Sequence, residues 1–487
     1  MTLDNKYGVP TVALHTHVFE KVVESVNRVH GMPRAPRAFV PQPVMGKTAA
    51  QLRAYVDGKD PLSGRPVMQE VIEGLTQPIE DHGVVNATFE HASTPRLVQA
   101  DTEDNLQRLF LDNNWTDKLP IVLPTEKRVA ETLAHTSHKP DEVVGHMRST
   151  HFREYWEYTV EKVAVNAVMA GARPEYFPVI LALASTGVTA RGSTSSSAAA
   201  MVVVNGPIRN EINMNSGTGA MGPFNHANAT IGRAYGLLSQ NGQGSSIPGV
   251  TYMGSQGNNY AYNNVTFAEN EERSPWTAFH VEHGFNATDS TVSVFTGCRS
   301  TAFTLGVREK YWREHVRSML RGLDAHSQPT FLLDPITARQ FIDRGGFDSK
   351  EKLIDWAYEN ALMAAAEYWD YQLIQNYIYP RATFGEEPYA TKLKAAPDEM
   401  IHISNPKKFT SWSSAARPTV TGVSWIATIK RRFRWINGAN RTHPSTVSQG
   451  NRDGKHAKWK SDLLGAGLKL ALFYLSTFGW QGFRTVA

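Results

Sequence analysis

Glu157–Gly171 (EYTVEKVAVNAVMAG), Ala172–Ser185 (ARPEYFPVILALAS) and Ala198–Gly206 (AAAMVVVNG) decide the fold class. In the first segment Val160, Val163, Val165 and Val168 are interleaved with Ala and Met at helical spacing, and Gly171 ends the run. Pro174 then suits the first turn of a second helix, where a missing N–H goes unnoticed. The pair reads as a buried helical hairpin. The third segment is a short, unbroken apolar run, which is the pattern of a strand covered on both faces. Helices followed at once by a buried strand predict an α/β protein.

Towards the N-terminus, Gly8–Gly31 (GVPTVALHTHVFEKVVESVNRVHG) reads as one βα unit. Val9, Val12 and Leu14 fall in a strand, Val18, Val22, Val26 and Val29 follow at helical spacing, and Gly31 is placed as a C-cap. One βα unit cannot cover its own apolar face, so its sheet is completed by later segments or by an upstream half. Pro66–Ile79 predicts another helix, residues 80–104 a polar loop, and Trp115–Gly145 a strand, a turn and a helix. Thr125 is the N-cap of that helix, ahead of Glu126, whose charge suits the helix dipole. The divisions expected are 1–80, a connecting segment 81–140, a main domain 141–408 and a tail 409–487.

The 487 residues are too many for one ordinary core, and 41% hydrophobic with 20% charged residues is a globular composition. No charged, apolar, small-residue leader opens the chain, and the single cysteine, Cys298, excludes an internal disulfide framework or a Cys-rich zinc site. A cytoplasmic setting is expected. The apolar stretch from Asp462 to Trp480 is interrupted by Lys469 and falls short of a membrane span. Of the +4 formal charge, residues 409–487 supply 12 Lys/Arg against 2 Asp/Glu, leaving 38 against 44 in the body. A basic tail without regular helical spacing does not read a groove, so nucleic acid is not an expected partner.

Chemistry concentrates between Thr194 and Cys298. Asn205–Leu238 holds six glycines and six asparagines before closing in a helix near Ala227. Gly217, Gly219 and Gly222 satisfy G-x-G-x-x-G, yet they do not follow a strand directly, Pro223 stands where the helix should begin, and no acidic residue ends a second strand downstream. A milder expectation is a small anion or carboxylate cradled by backbone N–H groups. Asn205, Gly206, Gly217, Gly219, Gly222 and Asn228 are the substrate-binding candidates. Further on, Glu269, Glu271, Glu272, His280, Glu282 and His283 fall within fifteen residues. If Ala278–Gly284 is a strand, His280 and Glu282 share a face, as an acid/base pair or a metal site would need. Glu269, Glu271 and His280 are the acid/base candidates, with Glu282 and His283 as metal ligands suited to zinc, iron or manganese. The plain alternative is a solvated turn and an edge strand. The His15/His17 pair at the end of the first strand is a second, weaker metal candidate. Cys298, beside Arg299 at the end of an alternating strand, is a candidate nucleophile if its thiol pKa is lowered; most lone cysteines are inert.

From Tyr7 to Lys408 the chain resembles the UGSC-type (seleno)protein family, through GVPTVALHT (8–16), WTDKLPIVLPTEKRVAETL (115–133), TVEKVAVNAVMAGARPEYFPVILA (159–182), VVNGPIRNEINMNSG (203–217), HANATIGRAY (226–235) and FAENEERSPWTAFHVEHGF (267–285). The resemblance implies kinship to selenoprotein-type reductase subunits, with a Rossmann-like first domain carrying a Sec- or Cys-Gly-Ser-Cys motif ahead of GVPTV. Here GVPTV opens the chain, and Ala172 stands where many similar proteins have cysteine. The resemblance further implies something like VVGGETNGYW where this chain reads SSAARPTVTG (413–422), a string obtained from GC-rich codons for the first by reading one base later. Residues 409–487 are therefore expected to be out-of-frame translation, and detection of their peptides from an uninterrupted frame would refute this.

Residues and resemblance together predict an α/β fold: a partial Rossmann-like βα start followed by a larger α/β domain with a buried helical hairpin and a mixed sheet. The function expected is an enzyme or enzyme subunit acting on a small organic molecule, with reductive or thiol-dependent cleavage implied by the resemblance. The alternatives are a noncatalytic partner of a redox subunit and a metal-dependent hydrolase or hydratase. A small-molecule substrate, a redox partner subunit and further copies in a homo-oligomer are the partners considered; no cofactor is specified.

Overall fold

A computed structural model describes residues 7–20, 23, 24, 27, 32–44, 47–78, 95–147, 156–190, 199–243, 257–304, 310–322, 328–403, 410–413, 423–429 and 431–436, with backbone alone for 156, 296–304, 328, 329 and from 410 onward. The protein is of the α/β class, as the sequence predicts.

Strands β1 (Ala13–Thr16) and β2 (Arg37–Val40) pair in parallel, Ala13 with Arg37 through Thr16 with Val40. Val18 lies in a 3₁₀ turn, residues 23, 24 and 27 are helical, and Val22, Val26, Val29 and Gly31 fall outside the described residues. Helices α1 (Ala49–Val56) and α2 (Val67–Thr76) follow. Thr48 and Gln51 form a reciprocal capping box that starts α1. The small core here is Ala38, Val40 and Val67 with Leu14, Tyr55 and Val71. Buried Asp60 pins the end of the unit. Its Oδ2 accepts from Phe39 N at 2.6 Å, and its Oδ1 from Leu62 N and Ser63 N.

Burial, reinforced by the Arg37 charge, lowers the His15 imidazole to about 4. In the unfolded chain it titrates near 6.5, so between these values the unfolded state binds more protons than the folded one. Stability rises with pH across that window, and the His15 contribution is lost as pH falls through it. His15→Gln is expected to flatten the acid limb of a Tm-versus-pH curve between about pH 6.5 and 4; an unchanged slope would contradict the assignment.

Of residues 80–104, expected as a loop, 80–94 lie outside the described residues, and the reading is corrected at the other end, where helix α3 (Glu103–Asp112) begins, N-capped by Thr102. A second correction concerns 115–125, which form no strand. Pro120 and Pro124 lack the donors a ladder needs, and Lys118 has φ 68°. The segment instead lies against the hairpin, with Val122 N donating to Met169 O at 3.3 Å. Thr125 caps α4 (Glu126–Leu133) as expected.

Strands β3 (Val143–Met147) and β4 (Trp156–Thr159) form an antiparallel pair that runs into α5 (Val160–Met169) and α6 (Phe177–Ser185). These two helices are the predicted hairpin, with Val160, Val163, Ala167, Phe177, Ile180 and Leu183 all buried and Pro174 in the turn before α6.

The main sheet is built around β5 (Ala199–Asn205), all seven residues of which are buried. After β5 come α7 (Ile208–Glu211), α8 (His226–Gln243), β6 (Val265–Ala268), α9 (Phe279–Glu282), β7 (Thr291–Thr304), α10 (Trp312–Arg321), β8 (Gln328–Leu333), α11 (Pro335–Gly345), α12 (Lys350–Asn360), β9 (Leu362–Ala364), β10 (Met400–His402), β11 (Thr410–Ser413), β12 (Val423–Ile429) and β13 (Arg431–Ile436). Among the described residues the order is β11-β8-β12-β7-β5-β6, with β13 also on β7. The sheet is mixed: β5 is parallel to β6 and antiparallel to β7.

Side chains of β5 alternate between two cores, as a pleated strand requires. Ala200, Val202 and Val204 meet the core of α5, α6 and α8, while Met201 and Val203 meet Phe267, Phe279, Phe295 and Leu332. A third core joins α10, α11 and α12 through Trp312, Phe341, Phe347 and Leu353. Helix α8 crosses the end of β6 so closely that a Cβ at Gly232 would lie 1.8 Å from Asn263 O. Among the described residues no helix is long and apolar enough to cross a membrane, and the apolar stretch 462–480 lies outside them.

Candidate functional site

Parallel pairing brings the C-terminal ends of β5 and β6 to one edge, with Val204 opposite Ala268. The next residues are Asn205 and Glu269, and both are fully buried. The crevice outside strand C-termini is the usual ligand position in open α/β sheets.

Glu269 is a buried carboxylate with every charge and lone-pair requirement met locally. Its Oε2 accepts from Asn205 Nδ2 at 2.6 Å and Phe279 N at 2.8 Å, and its Oε1 from Lys350 Nζ at 3.3 Å. Lys350 also donates to Thr277 O (2.7 Å) and Glu282 Oε2 (3.3 Å). A cation in the first turn of α12 opposes the helix dipole. Its burial there is explained by Glu269.

Glu271 gathers the other side of the edge. One oxygen, Oε1, accepts from Asn205 Nδ2 (3.0 Å) and Gly206 N (2.8 Å), and lies 3.2 Å from Arg209 Nε. Gly206 has φ +82°, and a Cβ there would fall 2.1 Å from Asp289 O, so only glycine presents its N–H to Glu271 in this way. Arg209, buried on α7, forks onto Glu272, with Nη1 3.0 Å from Oε2 and Nη2 on Oε1. The Arg209 hydrogen bonds hold the Glu272 carboxyl below its ordinary range. Burial works against the Arg209 charge, but Glu272 and Glu271 outweigh it and raise its pKa.

His280 completes the group. It is 2% exposed, and its Nδ1 stands 4.0 Å from Glu271 Oε1. Neither ring nitrogen has a hydrogen-bond partner among the described residues, and neither does Asn205 Oδ1. Among the described residues Glu269, Glu271 and Glu272 share two cations, Arg209 and Lys350.

Three of the acid/base candidates, Glu269, Glu271 and His280, are thus brought together with Asn205 and Gly206. Residues 279–282 form a helical turn, however, and not a strand. Two residues apart on a helix point about 200° away from each other, so His280 turns inward to Glu271 while Glu282 turns to Lys350. His283 does not join Glu282 as a ligand: its Nδ1 contacts Phe279 O at 2.7 Å and its ring stacks on Phe279. Among the described residues no three His, Cys, Asp or Glu side chains are placed to hold a metal ion.

The glycine loop is braced from within, which corrects its reading as an anion cradle. Gly217 N donates to Asn215 Oδ1 and Gly222 N to Gly219 O, so two of the three motif N–H groups are consumed. Asn225 Nδ2 donates to Gly219 O and Gly222 O. Buried Asn228 donates to Asn215 O and Ala220 O, and its oxygen accepts from Asn215 N, which is a framework role and not a binding one. Asn270 Nδ2, donating to Ser216 O at 3.0 Å, ties the loop to the strand edge.

Cys298 does not reach the site. It lies in the middle of β7, paired with Ala199 at the opposite end of β5 from Asn205. Six residues along a strand are about 20 Å. The strand end expected beside Arg299 is thus the middle of a strand.

Arg209 and Lys350 are the groups that sequence reading missed. Lys350 lies 81 residues from Glu269, and its only local signal was a cation where the dipole disfavours one. The UGSC family is the family whose model matches the chain, over residues 4–61, which span β1, β2, α1 and Asp60 and exclude the edge just described. No curated protein and no solved structure matches the chain.

Proposed function

We propose, from the premise that this chain is a member of the UGSC family, that it is an enzyme or enzyme subunit which acts on a small organic molecule by proton transfer at the β5/β6 edge. The observation that carries this reading is His280, an imidazole almost wholly buried with neither nitrogen hydrogen-bonded and a carboxylate 4.0 Å away. Buried polar groups without partners are rare enough to need a reason, and a ligand is one. Imidazole is also the side chain best suited to proton transfer near neutral pH. In this arrangement Glu271 stands beside the ring, while Glu269, through Phe279 N, and Lys350, through Thr277 O, hold the helical turn that carries it against the strand edge.

Reductive or thiol-dependent cleavage requires a thiol or selenol from elsewhere, since Cys298 is remote. The family resemblance places such a group in a motif ahead of GVPTV, and a co-purifying chain with a Sec- or Cys-Gly-Ser-Cys motif would support its supply by a partner subunit. The metal-dependent hydrolase reading has no ligand set behind it among the described residues.

The test combines a panel of small acids, alcohols and amines with ¹⁵N-histidine NMR of the full chain. A ligand is expected to shift the His280 ring nitrogens, and His280→Gln is expected to weaken its binding about tenfold or more. If every ligand found binds His280→Gln as well as the wild type, His280 is not in the site. If no member of the panel moves the ring, the reading fails.

A further inference from the structure

We infer that the ligand group seated beside Asn205, Glu271 and His280 is a protonated amine. This rests on the reading of the β5/β6 edge as a ligand site and specifies its chemistry.

Asn205 supplies the first reason. Both carboxylates it contacts, Glu269 and Glu271, accept from the same atom, Nδ2, at 2.6 and 3.0 Å. An amide cannot be turned round here, because its oxygen would then face two carboxylates. The buried Oδ1 is therefore fixed as an acceptor, and it is unfilled. His280 supplies the second. Neutral imidazole keeps one nitrogen lone pair, and both ring nitrogens lack partners among the described residues. The two residues border one atom: Glu271 Oε1 lies 3.0 Å from Asn205 Nδ2 and 4.0 Å from His280 Nδ1.

Charge points the same way. Among the described residues three carboxylates, Glu269, Glu271 and Glu272, share two cations, and both cations are engaged, Arg209 with Glu271 and Glu272 and Lys350 with Glu269, Glu282 and Thr277 O. An anionic ligand would have to break one of these pairs. An alkylammonium brings three donors and one positive charge, meeting an amide oxygen, an imidazole lone pair and a carboxylate while reducing the local excess of negative charge. A metal ion would share the charge argument but would need a ligand set that the described residues do not form.

Three probes of matched size separate the classes: n-butylammonium, butan-1-ol and butyrate, each titrated at constant ionic strength into the ¹⁵N-histidine-labelled full chain, with magnesium chloride as a fourth arm. Butylammonium alone is expected to shift the His280 ring nitrogens. Its binding is expected to weaken about tenfold to hundredfold in Glu271→Gln, with His280→Gln as a second variant should Glu271→Gln fail to fold. Butyrate or butanol shifting His280 where butylammonium does not overturns the amine assignment and leaves the site standing. Magnesium acting alone, in a Glu271-dependent way, overturns it in favour of a metal. Silence from all four arms also overturns it, and the site reading falls with it only if the broader panel is silent too.

Discussion

Gly232→Ala is expected to unfold or severely destabilise the protein, by about 3 kcal/mol or more. Alanine ordinarily improves a helix, because glycine there costs about 0.5–1 kcal/mol in backbone entropy. Gly232 is the point where α8 rests on the backbone before β6. An added methyl group would lie 1.8 Å from Asn263 O and 2.3 Å from Thr266 Oγ1, and the first of these is main chain. To open the contact to an ordinary distance the helix must retreat by more than an ångström. That shift would strain the hydrogen bond from Asn264 Nδ2 to Gly232 O (2.7 Å), while Asn264 Oδ1 accepts from Ala200 N in β5. It would also open a gap beneath Ile231, Tyr235 and Leu238, all buried. A loss of this size corresponds to roughly 6–12 °C in Tm for a domain of this scale. The control is in the same helix. At Gly242 the nearest atoms to a new Cβ are 3.8 and 3.9 Å away, so Gly242→Ala is expected to raise Tm slightly. Equal effects at the two positions would show that the close approach of α8 to β6 is not what sets the cost.

Lys350→Met is expected to cost about 3–5 kcal/mol, the range for leaving a buried charge without its partner. Glu269 would keep its two N–H donors, from Asn205 and Phe279, but lose the one cation within 4 Å of it among the described residues. Glu282, the other carboxylate on Lys350, is partly exposed and can turn to water. The pairing itself contributes less than its disruption costs, because burying both charges is already expensive. The double variant Glu269→Gln/Lys350→Met is therefore expected to recover much of the loss. Glutamine can still accept from Asn205 and Phe279, and its uncharged amide group replaces the oxygen that faced Lys350. Urea denaturation of the four proteins measures the coupling directly. Strict additivity of the two single effects would mean that Glu269 and Lys350 do not depend on each other.

What could be read from the chain beforehand follows the range of the forces involved. The hairpin, β5 and α8 were legible because local periodicity and capping set them, and Thr125 was legible as a cap for the same reason. The polar reading of 80–104 concealed α3, although Thr102 followed by Glu103 and Asp104 is an N-terminal signature. In 115–125 apolar residues suggested a strand, and two prolines removed the donors it needed. The edge group was half visible. Glu269, Glu271 and His280 are close in sequence, so their clustering needed only the strand end to bring them together. Arg209 and Lys350 reach them across 62 and 81 residues, and no spacing rule carries that distance. The assignment of a shared face to His280 and Glu282 failed because the choice between strand and helical turn over four residues depends on tertiary packing, here of Phe279 into the core beneath β5.

The contact between Gly206 N and Glu271 bears on how the protein ages. Asn-Gly is the dipeptide most prone to deamidation, since the glycine nitrogen can attack the asparagine side-chain carbonyl and close a succinimide ring. At Asn205–Gly206 that nitrogen is engaged with a carboxylate, and the side chain is held by two more contacts in a fully buried position. The folded edge thus shields its own most labile bond. Once unfolded, the same pair is free to cyclise and hydrolyse to aspartate or isoaspartate, which on refolding would set a third negative charge against Glu269 and Glu271. Time spent unfolded is therefore recorded at residue 205, where peptide mapping can read it as the fraction of protein no longer able to rebuild the site.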